Sequence, residues 1–105
     1  MAGNVRIAVF ASGSGSNFAA LNKACSVGDI PADIVLVVTD KPDAFVVERA
    51  KQANISVVAL RPRDFATKQA YEQAILDALE EAQAEWLILA GYMRLIGSVL
   101  LNAYP

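Results

Sequence analysis

An α/β domain, with helices on both faces of a parallel sheet, is the fold class this sequence predicts, and three observations lead to it. Short β-branched apolar runs recur along the chain: VRIAVFA, IVLVVT and WLILA. Continuous runs of this kind belong to strands buried on both faces. Segments of helical periodicity alternate with them, and such alternation gives parallel strands joined by right-handed crossovers. Glycine, asparagine or proline punctuates most junctions, where the chain must turn.

Val5 to Ala11 predicts the first strand, which ends at Ser12-Gly13. Asn17 has the side chain of an N-cap, and Phe18, Leu21 and Cys25 recur at helical spacing before Gly28, so a first helix follows directly. Ile34 to Thr39 predicts the second strand, and Asp40-Lys41-Pro42-Asp43 closes it. Ala44 to Ala53 reads as a helix stopped by Asn54, and Ile55 to Leu60 as the third strand. A polar stretch from Arg61 to Ala66 leads to a helix starting near Thr67, with Tyr71, Ile75, Leu79 and Ala82 on one face. Glu72, Asp77, Glu80 and Glu81 are assigned to its other, solvated face, and Glu48 to a solvated face of the preceding helix. Trp86 to Ala90 is the fourth strand, broken by Gly91, and Ser98 to Tyr104 begins a last helix. The fourth strand is wholly apolar and is expected to have neighbours on both sides.

At 105 residues the chain has room for one domain at most. Its hydrophobic fraction is 55% and its charged fraction only 19%, which is greasy for a domain of this size. A chain of about 100 residues buries only about two thirds of its unfolded surface, so the excess calls for further partners. The remainder of a longer chain would supply them, and so would a homo-oligomer. The formal charge of −2 with no basic cluster excludes a nucleic-acid footprint. No apolar run approaches the ~18 residues of a membrane span, so no membrane partner is expected. Lone Cys25 and the absence of a signal-peptide pattern point to a cytoplasmic setting. The chain has no histidine, which removes the commonest metal ligand and the commonest acid/base near neutral pH. No metal is expected.

The loop FASGSGSNF, Phe10 to Phe18, allows three readings. A dinucleotide fingerprint needs a third glycine where Phe18 stands, although Gly13, Gly15 and the acid Asp40 match the rest. That leaves a nicotinamide-dinucleotide domain as an alternative. A phosphate nest needs only backbone N–H groups of Gly15, Ser16 and Asn17 at a helix start, with serine hydroxyls nearby. A simple strand-to-helix turn needs nothing more than the glycines. The segment Ala90 to Gly97 (AGYMRLIG) leaves the carboxyl end of the fourth strand. If that strand pairs with the first, the segment lies beside the opening loop, where ligands gather in open parallel sheets. There Arg94 among Met93, Leu95 and Ile96 could line a pocket for a flat, partly polar ring.

VRIAVFASGSGSNFAAL (Val5 to Leu21), DKPDAFVVERAKQANI (Asp40 to Ile55) and LAGYMRLIG (Leu89 to Gly97), in this order and spacing, resemble the phosphoribosylglycinamide formyltransferases. The resemblance covers nearly the whole chain. It implies a Rossmann-like parallel sheet, with residues 1–105 as the N-terminal, four-stranded part of a single formyltransferase domain. It implies transfer of a formyl group from the co-substrate 10-formyltetrahydrofolate to the small molecule glycinamide ribonucleotide, in de novo purine synthesis. Carried over by position, Gly15, Ser16 and Asn17 would hold the ribonucleotide phosphate. Lys68, Met93, Arg94, Leu95 and Ile96 would contribute to the folate site. Related folate-dependent enzymes, the initiator methionyl-tRNA formyltransferase and the formyltetrahydrofolate deformylase, remain alternatives; the SGSGSN loop suits a phosphorylated small substrate better. The family's catalytic Asn and His lie in an Asn-x-His-Pro-Ser segment, and a supporting Asp follows it. None of the three is matched here, so no catalytic residue is expected in this chain, and the 105 residues alone are expected to lack turnover.

Overall fold

A computed structural model describes residues 4–94 and 96–104. Four strands, β1 (Val5–Phe10), β2 (Ala32–Thr39), β3 (Val57–Ala59) and β4 (Trp86–Leu89), form one sheet in the order β3-β2-β1-β4. Every pairing is parallel. Helices α1 (Ser16–Ser26), α2 (Phe45–Gln52), α3 (Lys68–Ala82) and α4 (Ser98–Ala103) connect and follow the strands, with a short 3-10 turn at Pro62–Asp64. The predicted order is thus the observed one, and the fourth strand does pair with the first. The third strand is shorter than Ile55 to Leu60.

The two-residue period of the strands divides the core into two layers. Ala8, Phe10, Leu36 and Val38 face one way, against Tyr71, Ile75 and Leu79 of α3 and Leu100 of α4. Val9, Ala11 and Val37 face the other way, against Phe18 of α1 and Val46 and Ala50 of α2. Helices therefore cover both faces, as the continuous apolar runs predict. One residue is extra in β2: Ile7 pairs with Ile34 but Ala8 pairs with Leu36. At the far end of the sheet the Arg6 guanidinium donates to the Ala82 and Gln83 carbonyls at 2.6 and 3.1 Å. This cation satisfies orphan acceptors at the negative end of α3.

Among the described residues β4 is paired on one side only, and Trp86 and Leu89 are more than half exposed, the open edge left when the second neighbour of an apolar strand is not among them. One expectation changes. Glu72 is not solvated; it is buried, and its carboxylate accepts from the backbone N–H groups of Gly97 at 2.6 Å and Leu100 at 3.4 Å. The carboxylate thus supplies acceptors at the start of α4, whose first amides have no intrahelical partner. Glu48, Glu80 and Glu81 are exposed as expected.

Candidate functional site

The opening loop runs from Ser12 to Gly15 along the carboxyl edge of the sheet. Gly15, not Asn17, is the N-cap of α1, at φ 81°, and no side chain caps the helix. The expected asparagine cap fails because of packing elsewhere. A Cβ on Gly15 would lie 2.7 Å from Cγ2 and 3.0 Å from Cα of Val46. The left-handed turn that this close approach requires is one only glycine makes cheaply, and it starts the helix at Ser16. Two more bonds hold the loop onto α2. Val46 N–H donates to the Gly13 carbonyl at 3.2 Å, and Arg49 Nε donates to the Ser14 carbonyl at 2.8 Å. The Arg49 guanidinium also lies 5.0 Å over the Phe45 ring. With the Gly13 and Ser14 carbonyls engaged and no side chain capping the helix, the first amides of α1 are left to solvent or an anion.

The chain leaving β4 comes back to this loop. Ser12 N–H donates to the Gly91 carbonyl at 3.2 Å, and Met93 N–H donates to Ser12 Oγ at 2.8 Å. The same hydroxyl donates to Asp40 Oδ1 at 2.6 Å, while Arg94 Nε donates to Oδ2 at 3.0 Å. Asp40 is buried at 3% exposure, whereas the Arg94 side chain is half exposed. A buried carboxylate with both oxygens engaged is held in place by its partners. Both Asp40 oxygens are thus already engaged by Ser12 and Arg94, which counts against a role for this acid on a ribose and so against a dinucleotide fingerprint. The Ser12–Asp40–Arg94 network escaped the sequence reading. Its signal was there: a lone arginine in an apolar segment needs an acid, and Asp40 ends the strand next but one to β4.

Beyond Arg94 opens a cavity of about 430 Å³, whose lining includes Phe65, Lys68, Tyr71, Met93 and Arg94. Thr67 Oγ1 accepts from Ala70 N–H at 3.0 Å, capping α3 and placing Lys68 at its first position. A Cβ on Gly97 would meet the Glu72 carboxylate at 2.9 Å and Lys68 Cε at 3.0 Å, so a side chain there would have to displace these two side-chain ends. The stem of Lys68 therefore lies along this segment. Met93 is 74% exposed, an apolar side chain at the rim. The Tyr71 and Tyr92 hydroxyls share a hydrogen bond of 2.8 Å, and Phe10 packs edge-on against Tyr92 at 5.1 Å. Burial pushes both phenols up from their ordinary range, so they stay protonated at any physiological pH.

Three of the predicted folate positions, Lys68, Met93 and Arg94, thus meet in one cavity. Ile96 packs against the α3 side of the core instead, and Leu95 lies outside the described residues. Gly15, Ser16 and Asn17 do not line that cavity; the Ser12 hydroxyl connects their loop to it. Apolar walls with two cations at the edge suit a flat ring carrying a carboxylate. Among the described residues no group of acids and cysteines is arranged to hold a metal ion, and no helix is long and apolar enough to cross a membrane.

Residues 5–105 match the model of the formyl transferase family. The chain is 46% identical to phosphoribosylglycinamide formyltransferase of Bacillus subtilis, over 94% of this chain and 51% of that protein. It is 32% identical to the Escherichia coli protein of the same name, over 95% of this chain and 47% of that one. The crystal structure of glycinamide ribonucleotide transformylase 1 from Geobacillus kaustophilus superimposes with a TM-score of 0.94, at 50% identity, over 96% of this chain and 54% of that chain. The chain spans about half the length of the relatives it matches. With its four parallel strands and the loop and segment that meet at Ser12, it belongs to the formyl transferase family.

Proposed function

We propose that this chain supplies the substrate-binding half of a phosphoribosylglycinamide formyltransferase. Gly15, Ser16 and Asn17 take the phosphate of glycinamide ribonucleotide. Lys68, Met93 and Arg94 take part in holding 10-formyltetrahydrofolate. The observation that carries the proposal is the Ser12 hydroxyl, which accepts from Met93 and donates to Asp40 and so fixes the two binding elements side by side.

In the reaction the ribonucleotide amine attacks the formyl carbon, a new C–N bond forms, and the bond from that carbon to the folate nitrogen breaks. The amine loses a proton and the leaving nitrogen gains one. In this chain the loop amides anchor the far end of the acceptor by its phosphate. Met93 and Phe65 offer apolar cover to the donor ring, while Lys68 and Arg94 complement a carboxylate. Fixing both substrates in this way makes the transfer effectively unimolecular. Proton transfer is not assigned to any of these residues.

Ser16→Asp tests the phosphate assignment. A carboxylate at the first position of a helix favours its fold, by about 0.3–1 kcal/mol, yet it repels an incoming phosphate. The variant is expected to melt no lower than the parent and to bind glycinamide ribonucleotide at least about tenfold more weakly, as a lost charge-assisted contact requires. Unchanged affinity would remove the phosphate from this loop.

A further inference from the structure

A second cavity, of about 510 Å³, opens on the other side of Arg94. It takes its lining from all four carboxyl-edge loops: Ser12 and Gly13 after β1, Lys41 and Asp43 after β2, Arg61 and Arg63 after β3, and Arg94 after β4. Arg94 and Pro62 are shared with the cavity that holds Lys68. Neither assignment made above uses it, since the acceptor phosphate goes to Gly15–Asn17 and the donor ring to the neighbouring cavity.

Its charge is its distinguishing property. Lys41, Arg61, Arg63 and Arg94 are four of the nine cations in a chain whose net charge is −2. Both acids in the lining have a cation beside them. Asp40 is paired with Arg94 at 3.0 Å, and Asp43 with Arg61 at 3.3 Å. Lys41 and Arg63 have no ion-pair partner among the described residues. Gly13 leaves the floor open, with nothing within 4 Å of where a Cβ would stand, so a ligand can reach the backbone there.

We propose that this cavity binds a small polyanion, a molecule or tail bearing two or more carboxylate or phosphate groups, which Lys41 and Arg63 neutralise. Two sources carry that chemistry: a free anion, and the carboxylate tail of a donor seated in the adjoining cavity. The second source rests on the folate assignment.

Calorimetric titration of the chain with citrate and pyrophosphate probes the free source. Titration with folates carrying one or three γ-linked glutamates probes the tethered one. The K41A/R63A double variant is the test and K51A, on the exposed face of α2, is the control. Lys41 and Arg63 are exposed and have no ion-pair partner among the described residues, so the double variant is expected to fold, which circular dichroism checks. A free polyanion is expected to bind wild type and K51A alike, with affinity falling as salt rises, and to lose about tenfold or more in the double variant. For a tethered source, the triglutamate is expected to bind more tightly than the monoglutamate, and that advantage to vanish in the double variant. The proposal is overturned if neither the free anions nor the added glutamates bind in a way that depends on Lys41 and Arg63. Monoglutamate binding that is equal in wild type and double variant leaves the folate assignment standing whichever way the proposal falls.

Discussion

Replacing Gly15 by alanine tests whether the opening loop is clamped against α2. Two costs arise from the structure. The backbone stands at φ 81°, and a left-handed conformation costs an L-residue with a Cβ about 1–2 kcal/mol. The new methyl carbon would also sit 2.7 Å from Val46 Cγ2 and 2.8 Å from Val46 Cβ. Val46 is fully buried, so it cannot swing away, and forced repacking of this kind costs about 1–3 kcal/mol. Together they predict a loss of about 2–5 kcal/mol in urea unfolding, or at least about 8 °C in melting temperature for a domain of this size. Adding Val46→Ala removes the 2.7 Å contact with Cγ2 but neither the backbone strain nor the approaches to Val46 Cβ at 2.8 Å and Cα at 3.0 Å. The double-mutant cycle should therefore return a favourable coupling of about 1–2 kcal/mol. A Gly15→Ala protein within about 0.5 kcal/mol of the parent, the range of ordinary surface changes, would refute the clamp.

Glu72→Ala strips the acceptors from Gly97 and Leu100 and should cost about 1–3 kcal/mol, with amide exchange accelerating at Gly97 first; unchanged exchange there would contradict the carboxylate's role. The Tyr71–Tyr92 pair sets an alkaline limit. Both phenols are raised in the fold, mainly by burial, so their contribution is fully present below the unfolded tyrosine value of about 10. Above it the unfolded chain gives up protons that the folded chain keeps, and stability falls as pH rises. Unfolding midpoints measured across that range should drop less steeply in Tyr92→Phe, and an identical slope would contradict the assignment.

Elements with one-dimensional causes were legible in the sequence. Apolar runs gave the strands, helical spacing gave α3, and Thr67 marked its start. The position of β4 beside β1 followed from how such sheets wind, and with it the meeting of the Arg94 segment with the Ser12 loop. What escaped depends on contacts distant in sequence. Asn17 has the chemistry of a cap, but the approach of Val46 to Gly15 moves the helix start. Glu72 stands three residues before Ile75 and seven before Leu79, so the helix repeat itself places it toward the core. Its charge argued otherwise, and only the docking of α4 supplies the N–H groups that make its burial tolerable. Asp40 reads as an acid at a strand end, and nothing local shows that Ser12 and Arg94 occupy it.

Backbone amide NMR of the labelled chain measures the separation of the two ligand elements most directly. Glycinamide ribonucleotide is expected to shift the amides from Gly13 to Phe18, and 5-formyltetrahydrofolate those of Lys68, Met93 and Arg94, with Ser12 responding to both. Ribonucleotide shifts that center on Lys68 and Met93 and leave Gly15 to Asn17 unmoved would contradict it.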